Sequence, residues 1–124
     1  MTIHETAYVN PSAHVSDTAI VGANSRVGDG SRVGDGSKVA NETQFVCTLG
    51  TVPRRGYVVT LCHHPEYGAW ITAGCRFFSL AEARAWWGDS YIGKGDKAWY
   101  QAMLDCAERI YALHAPYSMP EAAP

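Results

Sequence analysis

The chain has 124 residues, 47% of them hydrophobic and 18% charged, with a formal net charge of −2. That length holds one small domain or two very small ones, and charged residues this sparse point to surface buried against copies of itself. The charge balance excludes a general nucleic-acid binder, which needs a basic stripe.

The opening MTIHETAYVN has no basic end followed by an apolar run, so no secretory leader is expected. No apolar stretch approaches the roughly 18 residues of a membrane span. Aliphatic residues recur at every sixth position, at Ile3, Val9, Val15, Val21, Val27, Val33 and Val39, and Phe45 keeps the register. Four residues after each aliphatic stands a small side chain: Ala7, Ala13, Ala19, Ser25, Ser31, Ser37 and Thr43. This period fits neither a helix nor a single flat strand. It is the period of a β-helix, in which each hexapeptide makes one short strand and one corner. Gly22, Gly28, Gly30, Gly34 and Gly36 suit corners, as do Asn24, Asp29, Asp35 and Asn41.

On these residues the chain resembles the hexapeptide-repeat proteins with a left-handed parallel β-helix, over residues 3 to about 45. The resemblance implies three hexapeptides per turn, so residues eighteen apart should stack on the outside of the coil. That groups Tyr8, Arg26 and Gln44 in one column, His14 and Arg32 in a second, Ile20 and Lys38 in a third. So short a coil exposes strand edges and buries little by itself. The family's habit is a parallel trimer, and a homotrimer or dimer of trimers is expected here.

The chain changes character after Phe45. YVVTLC at 57–62 and AWITA at 69–73 read as strands of a hairpin joined by HHPEYG. SLAE at 79–82 is a capping box that starts a helix running to about Trp87 and stopping at Gly88. A second helix begins after Asp96 with Trp99, Met103, Cys106, Ile110 and Leu113 as its apolar stripe, and Pro116 ends it. The predicted fold class is therefore mainly β: a left-handed parallel β-helix of about seven hexapeptides, followed by a small α+β cap of one β-hairpin and two helices. The boundaries are 1–46 for the repeat region, 47–115 for the cap and 116–124 for a loose tail.

The cap carries a second resemblance. LGTVPRRGYVVTL, ITAGCRFFSLAEA and DKAWYQAML are similar to small hexapeptide-repeat proteins common in phages and bacteria. Pro53-Arg54-Arg55 and Phe78 depart from the pattern of those proteins.

Many hexapeptide proteins are acyltransferases dependent on acetyl-coenzyme A, but these need a His base beside a loop that interrupts the coil. Here the hexapeptides run without interruption; His4 sits at a corner near the N-terminus and His14 at an outward position. Adjacent His63 and His64 point opposite ways on an extended segment and do not chelate one ion together. Cys47, Cys62, Cys75 and Cys106 form no zinc spacing and read as reduced, buried thiols. No metal and no cofactor is expected.

Arg54 and Arg55 sit on a turn between Pro53 and Gly56, and two readings stand. One is a solvated turn or an ion pair with Glu66 or Asp89. The other is bidentate capture of phosphate or carboxylate. Arg76, leaving the Gly74-Cys75 turn, adds to the second, and Tyr57 and Trp70 supply aromatic faces for a base, although Trp70 reads equally as core. The candidate ligand-binding set is thus Arg54, Arg55, Tyr57, Trp70, Gly74, Cys75 and Arg76, with no catalytic pair among them. The expected function is a non-enzymatic, homo-oligomeric binding protein that sequesters a small anionic ligand at subunit contacts. A cyclic dinucleotide or a cyclic ADP-ribose isomer would suit. By analogy with phage-encoded relatives of the cap, it would be an anti-defence sponge in the host cytoplasm. An acyltransferase and a purely structural trimer are the alternatives.

Overall fold

The computed structural model describes residues 1–52, 58–73, 76–87 and 97–114. Seven two-residue strands open the chain: β1 (Thr2–Ile3), β2 (Tyr8–Val9), β3 (His14–Val15), β4 (Ile20–Val21), β5 (Arg26–Val27), β6 (Arg32–Val33) and β7 (Lys38–Val39). Four longer strands follow, β8 (Gln44–Thr51), β9 (Val58–His64), β10 (Gly68–Ala73) and β11 (Arg76–Ser79), and then α1 (Leu80–Trp86) and α2 (Lys97–His114).

The short strands pair in parallel at a step of eighteen residues, Tyr8 opposite Arg26, His14 opposite Arg32, and Ile20 opposite both Thr2 and Lys38. Turns separate them because every sixth residue from 24 onward takes a left-handed backbone: Asn24, Gly30, Gly36 and Glu42 have φ of 54°, 70°, 73° and 63°. One turn earlier, side chains replace that geometry. Thr6, Ser12 and Thr18 each accept, through the hydroxyl oxygen, the amide of Asn24, Gly30 and Gly36 at 2.8–2.9 Å. Each corner amide of the second layer is thereby satisfied by a hydroxyl of the first, although these corners lie toward solvent. The aliphatics at the sixth positions turn to one core. Val15, Val21, Val27, Val33, Val39 and Phe45 are buried together, whereas Ile3, in the uncovered first layer, is 39% exposed.

The expected class, a left-handed parallel β-helix with a separate hairpin-and-helix cap, is corrected by the rest of the fold. The protein is a mixed-sheet protein: eleven short strands lie in three sheets, with two helices, among the described residues, and no closed solenoid is displayed. One sheet is β1-β4-β7 and a second is β3-β6; the third has six strands in the order β11-β10-β9-β8-β5-β2. Its β2, β5 and β8 are parallel, and β8 to β11 run antiparallel. The reason lies in β8. QFVCTL supplies no turn residue after Phe45, so the strand continues for eight residues across position 46 and takes β9 on its free side. Two register shifts along the β8–β9 pair, between Phe45 and Cys47 and between Thr48 and Gly50, absorb the change of course. What reads as a hairpin is thus the middle of a four-strand antiparallel run.

The run's central strands, β9 and β10, are buried on both faces. Val59, Leu61, Ile71, Ala73 and Phe78 meet Ala83, Trp87, Tyr100, Met103, Leu104 and Ala107 of the helices. The alternate residues meet the repeat region: Cys62 and Trp70 pack on its aliphatic core, and Thr72 Oγ1 donates to the Lys38 carbonyl at 2.8 Å. Thr48 Oγ1 lies 2.6 Å from Ser37 Oγ and accepts the Gly34 amide at 3.2 Å.

The helices begin and pack for local reasons. Ser79 caps α1 through a capping box with Glu82. The apolar stripe of α2 is rotated from the one expected. Tyr100, Met103, Leu104 and Ala107 are buried, whereas Cys106 is exposed and Leu113 is 74% exposed. Tyr100 sets this rotation by stacking on Trp87, with centroids 4.2 Å apart and planes 12° apart. Trp86 and Trp87 divide as an adjacent helical pair must, 43% and 1% exposed.

The corners give a graded test. Gly30 and Gly36 are both left-handed, but a Cβ at Gly30 meets nothing within 4 Å, whereas one at Gly36 lies 2.9 Å from Val58 Cγ2. Gly30→Ala lowers stability by about 1–2 kcal/mol, the left-handed cost for an L-residue. Gly36→Ala loses about 1–3 kcal/mol more through overpacking against β9. Urea unfolding measures both, and equal losses contradict this account of the corner.

Candidate functional site

An open cleft of about 290 Å³ lies where β10 crosses the sheet β1-β4-β7, lined by Ile20, Gly22, Lys38, Val39, Ala40, Asn41, His64, Trp70 and Phe77. Its position follows from alternation. Trp70 is opposite Cys62 and Ser79, and Thr72 is opposite Thr60 and Phe77, so Trp70 and Phe77 project from one face of the sheet, toward the repeat region. His64, opposite Gly68, shares that face.

One wall is aromatic. The Trp70 ring lies 5.5 Å from His64 and 5.7 Å from Tyr67, and His64 and Tyr67 are 4.6 Å apart. The β9–β10 turn holds the imidazole in place. His64 Nδ1 accepts the amides of Glu66 and Tyr67 at 3.1 and 3.2 Å. An accepting Nδ1 leaves the proton of the neutral ring on Nε2, so His64 offers a donor at the cleft wall.

The other wall comes from the repeats. Lys38 is half-buried and has no ion-pair partner among the described residues. Asn41 Oδ1 accepts the Ala23 amide at 2.9 Å, which fixes the side chain and leaves its amide nitrogen as a donor. Gly22 makes room for it: a Cβ there would stand 2.3 Å from Asn41 Oδ1. The lining carries a cation and the neutral N–H donors of His64, Asn41 and Trp70, and no carboxylate, hydroxyl or thiol.

The sequence-derived set is divided by the fold. Arg54, Arg55, Tyr57, Gly74 and Cys75 lie outside the described residues. Trp70 lines the cleft. Arg76 leaves the opposite face of the sheet, beside Ala73, with its guanidinium 4.1 Å from the Trp86 ring centroid. Trp70 and Arg76 therefore do not converge. The reading missed His64, Lys38, Asn41, Ile20 and Phe77. Ile20 and Lys38 were recognisable as one outward column; nothing in the sequence alone says that Trp70 faces that column.

The neighbouring histidine is built into structure. His63 faces the helices, its Nδ1 2.6 Å from the Tyr111 hydroxyl and the two rings stacked at 5.9 Å. Burial, and then the adjacent His64, hold its pKa below the ordinary value of 6.5, and burial raises that of Tyr111. Among the cysteines, Cys62 is fully buried and its pKa is pushed up to about 11, chiefly by burial. Cys47 is half-buried and Cys106 exposed, all three as free thiols. Among the described residues no three metal-ligating side chains cluster, and no described helix is long and apolar enough to cross a membrane. Compared with known protein families, characterised proteins and solved structures, the chain matches none.

His63 makes stability depend on pH. A native pKa below the unfolded one means that the unfolded chain takes up the proton first as the solution is acidified. Stability is therefore full above the ordinary His value and is lost as the pH falls below about 6.5 toward the native pKa. The melting temperature declines between pH 7 and pH 5, and less steeply in His63→Gln; identical slopes contradict the assignment.

Proposed function

We propose that the protein binds, without turning over, a small planar molecule that carries an anionic group, a nucleotide in chemical class. The observation that supports this reading is the pairing, across one cleft, of a Trp70–His64 wall with Lys38. An indole face accepts any base by stacking. A lysine with no carboxylate partner among the described residues is suited to a phosphate. The His64 Nε2–H and the Asn41 amide add donors for the acceptor-rich edge of a base or for phosphate oxygens, while Ile20, Val39 and Phe77 keep water from the rim. The volume is near the lower end of small-molecule sites, which favours a mononucleotide, or one half of a larger ligand. Binding rather than turnover is preferred because the lining offers no hydroxyl or thiol nucleophile and no carboxylate base. In this reading the protein works in the cytoplasm, where free nucleotides are held. Cyclic dinucleotides and cyclic ADP-ribose isomers remain the first ligands to try, and sequestration is the role a non-turning-over binder of such signals would serve.

The test is a thermal-shift screen of mononucleotides, cyclic dinucleotides and cyclic ADP-ribose isomers. A true ligand at a hundredfold excess over Kd stabilises the protein by about 2.7 kcal/mol per site. Trp70→Ala weakens binding by about 1–3 kcal/mol, the worth of one stacked base, and Lys38→Glu abolishes the shift. Ligand released by heat should be chemically intact. No shift with any nucleotide, or a shift unmoved by both variants, sinks the proposal; cleaved ligand makes the protein an enzyme.

A further inference from the structure

Strand β11 ends the six-stranded sheet, and no described strand lies beyond it. The Ser79 amide donates to Glu82 Oε1 at 3.0 Å, so the backbone groups of Ser79 face away from β10. In an antiparallel ladder orientation alternates along the strand, and Phe77, two residues earlier, turns its N–H and C=O the same way. The outward groups of Phe77 meet no backbone partner among the described residues. The side chains at this rim are uncovered too. Phe77 is 49% and Trp86 43% exposed, beside Arg76. An edge with free backbone groups and exposed aromatics is a template for another strand.

We propose that β11 pairs antiparallel with β11 of a second copy of this chain, about a two-fold axis through Phe77. Charge and symmetry select this partner. Arg76 stands at the start of β11, and Glu82 lies exposed in the first turn of α1, just beyond its end. Antiparallel self-pairing lays the start of one strand beside the end of the other. Each Arg76 then approaches the partner's Glu82, and the contact occurs twice. Phe77 pairs with its own counterpart and exchanges two hydrogen bonds with it; Arg76 pairs with the partner's Phe78. Both pairings keep cleft-side residues with cleft-side residues and helix-side residues with helix-side residues. Phe77 also lines the cleft, so the axis sets two clefts side by side. The contact joins two protomers directly, or two trimers of the kind the repeats lead one to expect. It does not depend on the ligand proposed above.

Light scattering at micromolar concentration should find an even number of protomers, and Phe77→Glu, which sets two carboxylates against each other at the axis, should halve the mass. Paired Cα atoms at such a position are about 5.5 Å apart, within the range a disulfide spans. Phe77→Cys should therefore give a covalent dimer under mild copper–phenanthroline oxidation, in a yield well above that of the wild type. If circular dichroism shows Phe77→Glu unfolded, the cross-link decides. An odd number of protomers, an unchanged mass for folded Phe77→Glu, or no added dimer from Phe77→Cys overturns the proposal. A wild-type monomer does so as well, and leaves the edge to a foreign strand.

Discussion

A strand buried on both faces cannot slip by one residue, because a slip exchanges everything each face buries. Strands β9 and β10 are under that constraint, and the remaining architecture depends on it. Leu61 and Ile71 face the helices while Cys62 and Trp70, one step along, face the repeat region. The two faces differ in kind. The helix side is large and apolar. The repeat side is narrower and mixed, with Thr60 and Thr72 fully buried and Thr72 bonded to the backbone of β7. Small hydroxyl residues let two sheets approach closely, and the Thr72 bond to main chain fixes a register that apolar contact alone leaves loose, whereas Thr60 Oγ1 is buried without a partner among the described residues. The cleft follows from the same fit. Where β10 leaves the repeats, Trp70 and His64 stand off from Lys38, and the gap between them opens to solvent.

Local signals were legible in the sequence, and relations between distant segments were not. The six-residue period of the aliphatics specified the short strands and their eighteen-residue pairing, because period and burial are the same fact seen along the chain. The SLAE cap specified the start of α1 for a similarly local reason. The change of pattern after Phe45 does not say how the strands on its two sides join. A change of pattern reads as a change of unit, yet β8 carries one backbone through it and joins the parallel strands to the antiparallel ones. Helix α2 shows a subtler failure. Trp99, Met103, Cys106, Ile110 and Leu113 have helical spacing, but so do Tyr100, Met103, Leu104 and Ala107. The choice between them is made by Trp87, a residue in another helix.

The separation of Trp70 from Arg76 was hidden in the sequence for the same reason. A cluster of arginines beside glycine turns is a visible pattern, whereas a cleft assembled from position 38 and position 70 is not. Alternation along β10 and β11 puts Trp70 and Arg76 on opposite faces. Arg76 instead lies against Trp86, a cation–π contact that covers part of an exposed ring. His63 and His64 are separated by the same alternation. One joins Tyr111 and the helix layer, and the other joins Tyr67 and Trp70 at the cleft.

The corners of the repeat region are unlike from layer to layer. Hydroxyls at 6, 12 and 18 receive the amides of left-handed residues at 24, 30 and 36, whereas the amide of Glu42 goes to the Ala23 carbonyl at 2.8 Å. The stack therefore has a direction, and its layers are not interchangeable. A third layer copied from residues 22–39 would set glycine over glycine at two corners, leaving those amides without a hydroxyl to receive them. The array has a length written into its chemistry, so growth by duplication, the usual route by which repeat proteins lengthen, would need new corner residues at the same time.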